Sequence, residues 1–300
     1  MVAEPPLSPR AERGETLRVT TRSSCDGMCP RSAIPIDDPA DPRLAPYAAI
    51  RERDLVGRQG RFIVEGEVTL RLMLSPASRF KAESILLLPE RLAGFAELVA
   101  TLPEPPPVYC APRAVMSAVA GFPIHRGVLA VGVTGAPAEP DALIPAPSAP
   151  ATVLGLVGLT NHDNVGGLFR NAAAFGADAV LLDPESCDPL YRKAIRVSAG
   201  AALTVHFARA ASARALLDLA ERHDLVPLAM TPGAEHDLAD APLPARVLVL
   251  LGSEGPGLAA ELMAKSQTIR IGMAAGFDSL NVATAGAIAL RELWRARRRI

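Results

Sequence analysis

The sequence predicts an α/β protein of two domains, and three observations carry that prediction. Short apolar runs alternate with helix-compatible stretches from about residue 43 onward. The later runs, such as Val153 to Leu159 and Val247 to Leu251, are continuously apolar, which suits parallel strands covered on both faces. Between the two halves lies a stretch rich in Pro and Ala. Three hundred residues are enough for two domains that each bury a core. Apolar residues make up 49% of the chain, yet no run approaches the roughly 18 residues of a membrane span. Glu4, Glu12 and Glu15 and the lack of an apolar segment beside them do not fit a secretory signal, so a cytoplasmic protein without a membrane partner is expected. Four cysteines at scattered spacings outline no disulfide framework. Cys25 and Cys29 have no second pair to complete a zinc site and read as free thiols, so no metal is expected.

In chain order, residues 1–42 are rich in Pro, Arg, Ser and Asp without apolar periodicity and read as a mobile extension. Residues 43–133 read as a small α/β domain. Its expected elements are a helix (Arg43 to Asp54), a strand (Phe62 to Val64), a helix (Glu67 to Leu74) and a strand (Ser84 to Leu88). A helix (Arg91 to Ala100), a strand (Val108 to Cys110), a helix (Arg113 to Val119) and a strand (Val128 to Val133) follow. Residues 134–150 hold five prolines and five alanines and predict a semi-rigid linker. Residues 151–300 form the second domain. Its first strand leads through Asn161–Asn164 into a helix with Val165, Leu168, Phe169, Ala172 and Phe175 on one side and Gly176 as its stop. Further strands are expected at Ala179 to Leu182, Leu203 to Phe207, Leu225 to Met230, Val247 to Leu251 and Thr268 to Ile271. The closing helix lines up Val282, Ala285, Ala289 and Leu293 and ends in Arg295, Arg297, Arg298 and Arg299. Complementing the helix dipole accounts for one or two of those arginines, and a polyanion or a loose tail for the rest.

The loop Leu251-Gly252-Ser253-Glu254-Gly255-Pro256-Gly257-Leu258 follows a buried strand and precedes a helix. Three glycines within six residues allow close backbone approach, and such loops surround a ligand with main-chain N–H and C=O groups. Glu254 in its middle disfavours a phosphate and suits a neutral or cationic ligand. Net charge is −1, so any nucleic-acid role needs local basic patches. Arg51, Arg53, Arg58, Arg61, Arg71, Arg79 and Lys81 supply one candidate patch, with an ordinary solvated face as the equal alternative.

Three stretches in order carry a resemblance: Asn161 to Asn171, Leu251 to Leu258, and Ile271 to Val282. They resemble the three signature motifs of the SpoU/TrmH-type RNA 2′-O-ribose methyltransferases, N-x-x-N-x-G-x-x-x-R, G-[NS]-E-G-x-G-L and I-x-M-x-x-x-x-S-L-N-V. Every fixed residue is present, the third motif with five residues rather than four between Met273 and Ser279. The resemblance implies a C-terminal trefoil-knotted SPOUT methyltransferase domain, which no pattern rule predicts. It also implies a homodimer and S-adenosylmethionine as cofactor. By position in the motifs, Arg170, Asn164, Glu254, Ser279 and Asn281 are implied to be catalytic. Leu251, Gly252, Gly257, Ile271, Met273 and Leu280 are implied to bind the cofactor. Arg170 is implied either as a proton acceptor or, given that guanidinium stays charged, as a grip on phosphate that stabilises a developing alkoxide.

The first domain resembles, more loosely, the ribosomal-protein-like substrate-binding domain of that family, through Phe62 to Gly66 and Gly121 to Gly127. RNA contacts are accordingly expected at His125, Arg126, Asn161, Arg192 and Arg196. A structural role for His125, a helix cap for Asn161 and a plain amphipathic helix over Tyr191 to Gly200 stand as alternatives. Gly272 stands where proline is common, and Asp278 precedes the serine. The reading is methylation of a ribose 2′-hydroxyl in structured RNA, rRNA ahead of tRNA. Two rivals stand beside it. A non-catalytic RNA-binding or assembly protein would not need the intact set of Arg170, Glu254, Ser279 and Asn281. A dehydrogenase would need G-x-G-x-x-G after the first strand of a βαβ unit, and here the Gly-rich loop comes late and holds an acid.

Overall fold

A computed structural model of the protein describes residues 33–48, 56, 59–276 and 279–298. In the first half, β1 (Ile34–Pro35), β2 (Arg61–Glu65), β3 (Lys81–Leu87), β4 (Val108–Cys110) and β5 (Val128–Val133) form a mixed sheet in the order β1-β4-β3-β5-β2. Helices α1 (Glu67–Met73), α2 (Ala93–Ala100) and α3 (Arg113–Ala120) connect them. In the second half, β6 (Ala151–Val157), β7 (Ala179–Leu182), β8 (Phe207–Arg209), β9 (Val226–Met230), β10 (His236–Asp237), β11 (Arg246–Gly252) and β12 (Gln267–Arg270) form a parallel sheet. Its order is β10-β12-β9-β11-β6-β7-β8. Helices α4 (His162–Phe175), α5 (Arg192–Val197), α6 (Ala213–Arg222), α7 (Ala260–Ala264) and α8 (Val282–Arg297) complete this half.

Period-two burial explains how the layers meet. In the first sheet Phe62, Val64, Ile85, Leu87, Val128 and Ala130 face one way, while Leu86, Leu88, Leu129 and Val131 face the other. In the second sheet Leu154, Leu156, Val247, Val249 and Leu251 face one way, and Val153, Leu248 and Leu250 the other. The first sets from both sheets join a single cluster with α4 and α8, through Leu168, Phe169, Leu290 and Leu293. Two separate domain cores were expected; instead one core is continuous across the boundary. Its bridge is aromatic: Phe62 meets Phe80 edge-on at 5.2 Å, Phe80 meets Phe207 at 6.3 Å, and Phe207 meets Phe169 at 5.5 Å. Arg79 lies over both Phe80 and Phe207, and its Nη1 donates to the Val205 carbonyl at 2.8 Å.

Several sequence expectations are corrected. The segment up to residue 42 is not all a loose extension, because β1 pairs in parallel with β4 and Ile36 is buried beside Leu44 and Tyr47. Two paired residues are too few to show alternation. Residues 1–32, with Cys25 and Cys29, lie outside the described residues. The helix expected from Arg43 is a 3-10 helix, Pro42–Tyr47, with Pro46 inside it, and most of its expected continuation to Asp54 lies outside the described residues. A proline N cannot donate, so the α ladder is not extended there. Leu203 to Phe207 does not form a strand. Gly200 turns with φ 88°, a 3-10 helix covers Ala201–Leu203, and β8 starts at Phe207. The apolar alternation there fills the inter-sheet core, where Leu203 and Val205 are buried, rather than a ladder. Cys110 is disulfide-bonded, contrary to the expectation of no disulfides; scattered spacing says nothing of which residues the fold brings close.

The 134–150 stretch is tied to the second sheet. A 3-10 helix spans Pro140–Leu143. Arg246, at the start of β11, donates to the carbonyls of Pro145, Ala146 and Ala149, and Asp141 pairs with Arg222 and His223 of the α6 end. The arginines at the C-terminus also have partners within the chain. Arg295 pairs with Glu292, Arg297 with Asp178, and Arg298 lies over the Trp294 ring, while Arg299 lies outside the described residues.

Candidate active site

The carboxyl ends of β9, β11 and β12 open onto a cavity of about 380 Å³. This is the edge of a parallel sheet where ligands bind, because loops diverge there and leave main-chain groups unpaired. The floor is built by the loop after β11. A Cβ on Gly252 would lie 2.5 Å from Gly257 C and 2.6 Å from Leu258 N, so the chain folds back on itself only because that position is glycine. Gly257 N donates to Ser253 O at 3.1 Å, and Gly255 and Gly257 take φ of 95° and 68°. The walls come from Met230, Thr231 and Pro232 after β9, from Ile269, Ile271 and Met273 around the β12 end, and from Ser279 to Val282 leading into α8.

At the rim, three motif residues join. Asn281 is the N-cap of α8, and its Oδ1 accepts from Ala283 N at 2.9 Å and Thr284 N at 3.2 Å. That fixes which end of the amide is oxygen. Its Nδ2 then donates to Asn164 Oδ1 at 2.8 Å and to Glu254 Oε1 at 3.3 Å. Asn164, 5% exposed, in turn donates from Nδ2 to Glu254 Oε1 at 2.8 Å. Both helices that carry these residues are held close. Gly167 faces Ala283, Asn171 donates to Ala283 O at 2.8 Å, and Gly286 admits Leu168 at its surface.

Of the residues expected to be catalytic, Glu254, Ser279 and Asn281 line the cavity, and Asn164 touches it through Glu254. Arg170 does not line it. On α4 it stands six residues from Asn164, about 120° around the helix, where it is exposed and has no ion pair or hydrogen bond among the described residues. All six residues expected to hold the cofactor (Leu251, Gly252, Gly257, Ile271, Met273 and Leu280) line the cavity. Met230, Thr231 and Pro232 were not anticipated. The rule that ligands sit at strand carboxyl ends, applied to the strand expected at Leu225 to Met230, would have found them.

The residues expected to meet RNA lie elsewhere. Asn161 caps α4, accepting from Asp163 N at 2.9 Å. Arg192 is half-buried at the junction of the two sheets, 3.5 Å from Glu65 Oε2 and 4.2 Å above the Phe122 ring. That contact brings the loop carrying exposed His125 and Arg126 beside α5, which carries exposed Arg196. The proposed patch of the first half is largely self-paired: Arg61 with Glu83, Arg71 with Glu67, and Lys81 with Glu104. Arg51, Arg53 and Arg58 lie outside the described residues.

Known proteins were compared with this geometry. A model of the SpoU rRNA Methylase family matches residues 151–291. An uncharacterised tRNA/rRNA methyltransferase of Mycobacterium tuberculosis is 39% identical over 285 residues, covering 90% of this chain and 96% of that protein. The chain belongs to the SpoU rRNA Methylase family. A solved RNA 2′-O ribose methyltransferase is 29% identical with a TM-score of 0.70, covering 88% of this chain and 100% of that one. The SpoU methyltransferase AviRb of Streptomyces viridochromogenes, solved with AdoMet, shares the fold with a TM-score of 0.74 at 22% identity, covering 86% and 98%. One departure of this SpoU family member has a local reason. A Cβ on Gly272 would lie 2.5 Å from Asp237 Oδ2, so a bulkier residue would have to turn the Asp237 carboxylate aside. Asp278 lies outside the described residues.

Proposed function

We propose that this RNA methyltransferase of the SpoU family methylates a ribose 2′-hydroxyl and takes S-adenosylmethionine as donor. The observation that carries the reading is the bonded set of Asn164, Glu254 and Asn281 at the rim of a cavity whose wall bears a carboxylate and, among the described residues, no Lys, Arg or His. An apolar wall with one carboxylate suits a positively charged donor and repels a phosphate-bearing one. Leu251, Gly252, Gly257, Ile271, Met273 and Leu280 would hold it, mainly by main-chain groups and apolar contact. When bound, S-adenosylmethionine supplies a methyl group activated by its sulfonium. The solved 2′-O ribose relative at 29% identity supports the site of methylation, and the AdoMet complex of AviRb agrees with the donor.

The proposal includes a homodimer and a trefoil knot in residues 151–300, in the cytoplasm. Arg170 stands outside the cavity of its own chain, and Leu280 just before α8 and Trp294 on α8 are each 40% exposed. A second copy against that helix would bring an Arg170 to the rim, where its guanidinium grips a substrate phosphate and steadies developing negative charge. We favour rRNA as substrate, with tRNA the alternative; the M. tuberculosis relative carries both in its name. The test is transfer from radiolabelled S-adenosylmethionine to total RNA by wild type and Arg170→Ala, followed by alkaline hydrolysis. Label at alkali-resistant linkages in large rRNA, lost in the variant, is the expected result. Cofactor binding without transfer to any RNA, unmodified transcripts included, would favour a binding protein that kept the fold.

A further inference from the structure

Glu254 is the one titratable side chain on the cavity wall among the described residues. Its two oxygens are not equivalent. Oε1 accepts from Asn164 Nδ2 at 2.8 Å and from Asn281 Nδ2 at 3.3 Å. Oε2 has no hydrogen-bond or ion-pair partner among the described residues.

Capacity counting separates the roles within the network. Asn281 has spent both amide hydrogens, on Asn164 and Glu254, and both acceptor sites, on Ala283 N and Thr284 N. It has nothing left to offer a substrate, so it is a positioning residue. Asn164 is buried and gives one hydrogen to Glu254 and one lone pair to Asn281. The cap of α8 therefore sets the Asn281 amide, Asn281 sets Asn164, and together they aim one carboxylate with a single open oxygen. A neutral Thr231 or Ser279 hydroxyl on the same wall cannot hold an extra proton, whereas a carboxylate can.

We propose that Glu254 Oε2 is the proton acceptor for the target hydroxyl, a role that rests on the ribose 2′-O reading above. As the 2′-oxygen bonds to the methyl carbon and the methyl–sulfur bond breaks onto sulfur, the hydroxyl proton passes to Oε2. The carboxyl later returns it to solvent. Arg170, permanently charged, is left to its phosphate. This division gives each group chemistry its side chain performs at neutral pH.

Glu254→Gln tests it, because glutamine keeps a carbonyl oxygen for the two asparagine donors and puts an amide where Oε2 stood. Wild type, Glu254→Gln and Glu254→Ala are compared with radiolabelled S-adenosylmethionine on in-vitro transcribed rRNA and tRNA. Cofactor affinity is measured by calorimetry and RNA affinity by filter binding. A positioned general base contributes roughly 10²–10⁴-fold. Glu254→Gln should therefore lose at least about a hundredfold in kcat, as much as Glu254→Ala, with RNA affinity near wild type and a cofactor affinity reduced far less than kcat, since the carboxylate also faces the donor's charge. If Glu254 only orients its neighbours, or Arg170 takes the proton, Glu254→Gln keeps its Oε1 bonds and turns over within about threefold of wild type, and the proposal falls. Label recovered on bases rather than at alkali-resistant linkages would overturn the ribose reading as well. Ribose label made by an active Glu254→Gln overturns this assignment alone.

Discussion

Gly252→Ala should damage cofactor binding out of proportion to its single added methyl group. The new Cβ would stand 2.5 Å from Gly257 C, 2.6 Å from Leu258 N and 2.7 Å from Gly257 O. Carbon contacts are comfortable at roughly 3.5–4.0 Å, so the returning strand of the loop must move by about 1 Å. All three obstacles are main chain, and no rotamer change relieves them. Overpacking of this kind costs about 1–3 kcal/mol. Gly257 lines the cavity, so the displacement falls on the cofactor floor itself. At about 1.4 kcal/mol per tenfold, affinity for S-adenosylmethionine should drop by roughly 5- to 150-fold. Gly233 is the control, since an added Cβ meets nothing within 4 Å and the residue is not among those with positive φ. Gly233→Ala should bind like wild type. Calorimetric titration with S-adenosylmethionine reads both variants. A Gly252→Ala protein that binds within about threefold of wild type would refute the reasoning, because the close approach of Gly252 to Gly257 would then not shape the site.

Three other perturbations probe different links. Asn281→Asp keeps an equally good helix cap but sets an oxygen against Asn164 Oδ1 and Glu254 Oε1; turnover should fall at least about tenfold with thermal stability near wild type, and wild-type turnover would contradict the network. Arg79→Ala removes a half-buried guanidinium lying over Phe80 and Phe207 and its bond to the Val205 carbonyl, so urea unfolding should show a loss of about 2–3 kcal/mol; an unchanged midpoint would mean the two sheets are held without it. Burial, then the nearby charge of Arg79, holds the His206 imidazole below its ordinary value of 6.5. The unfolded chain therefore takes up the proton first, so His206 is neutral to stability above about pH 6.5 and destabilising as pH falls below it. His206→Gln should flatten the loss of stability between pH 7 and pH 5 in thermal melts.

Much of the second half was legible from the sequence because its signals are local. Val247 to Leu251 is apolar at every position because β11 lies between β9 and β6 with both faces covered. Gly176 ends α4 with φ 65°, where a glycine was expected to stop it. The cofactor-site expectations met one another in a single cavity because all of them sit at, or in the loops just beyond, strand ends along one edge of a parallel sheet. Asn161 turned out to be a cap, one of the two readings its position allowed.

What the sequence by itself determined was the alternation of strand and helix, the three loops that hold chemistry, and the residue types within them. It did not determine which side chains touch. Asn164 and Asn281 are 117 residues apart and share a hydrogen bond because α4 and α8 are crowded together at Gly167 and Gly286. Arg192 was expected to contact RNA, yet it rests on Phe122 and Glu65, and Arg79 lies over rings from both halves. A two-domain reading followed from the Pro- and Ala-rich stretch, but one core runs through both sheets. Contacts between distant segments are decided by which apolar faces remain uncovered once each sheet has formed. That is a property of the assembled layers, and no local window of the chain contains it.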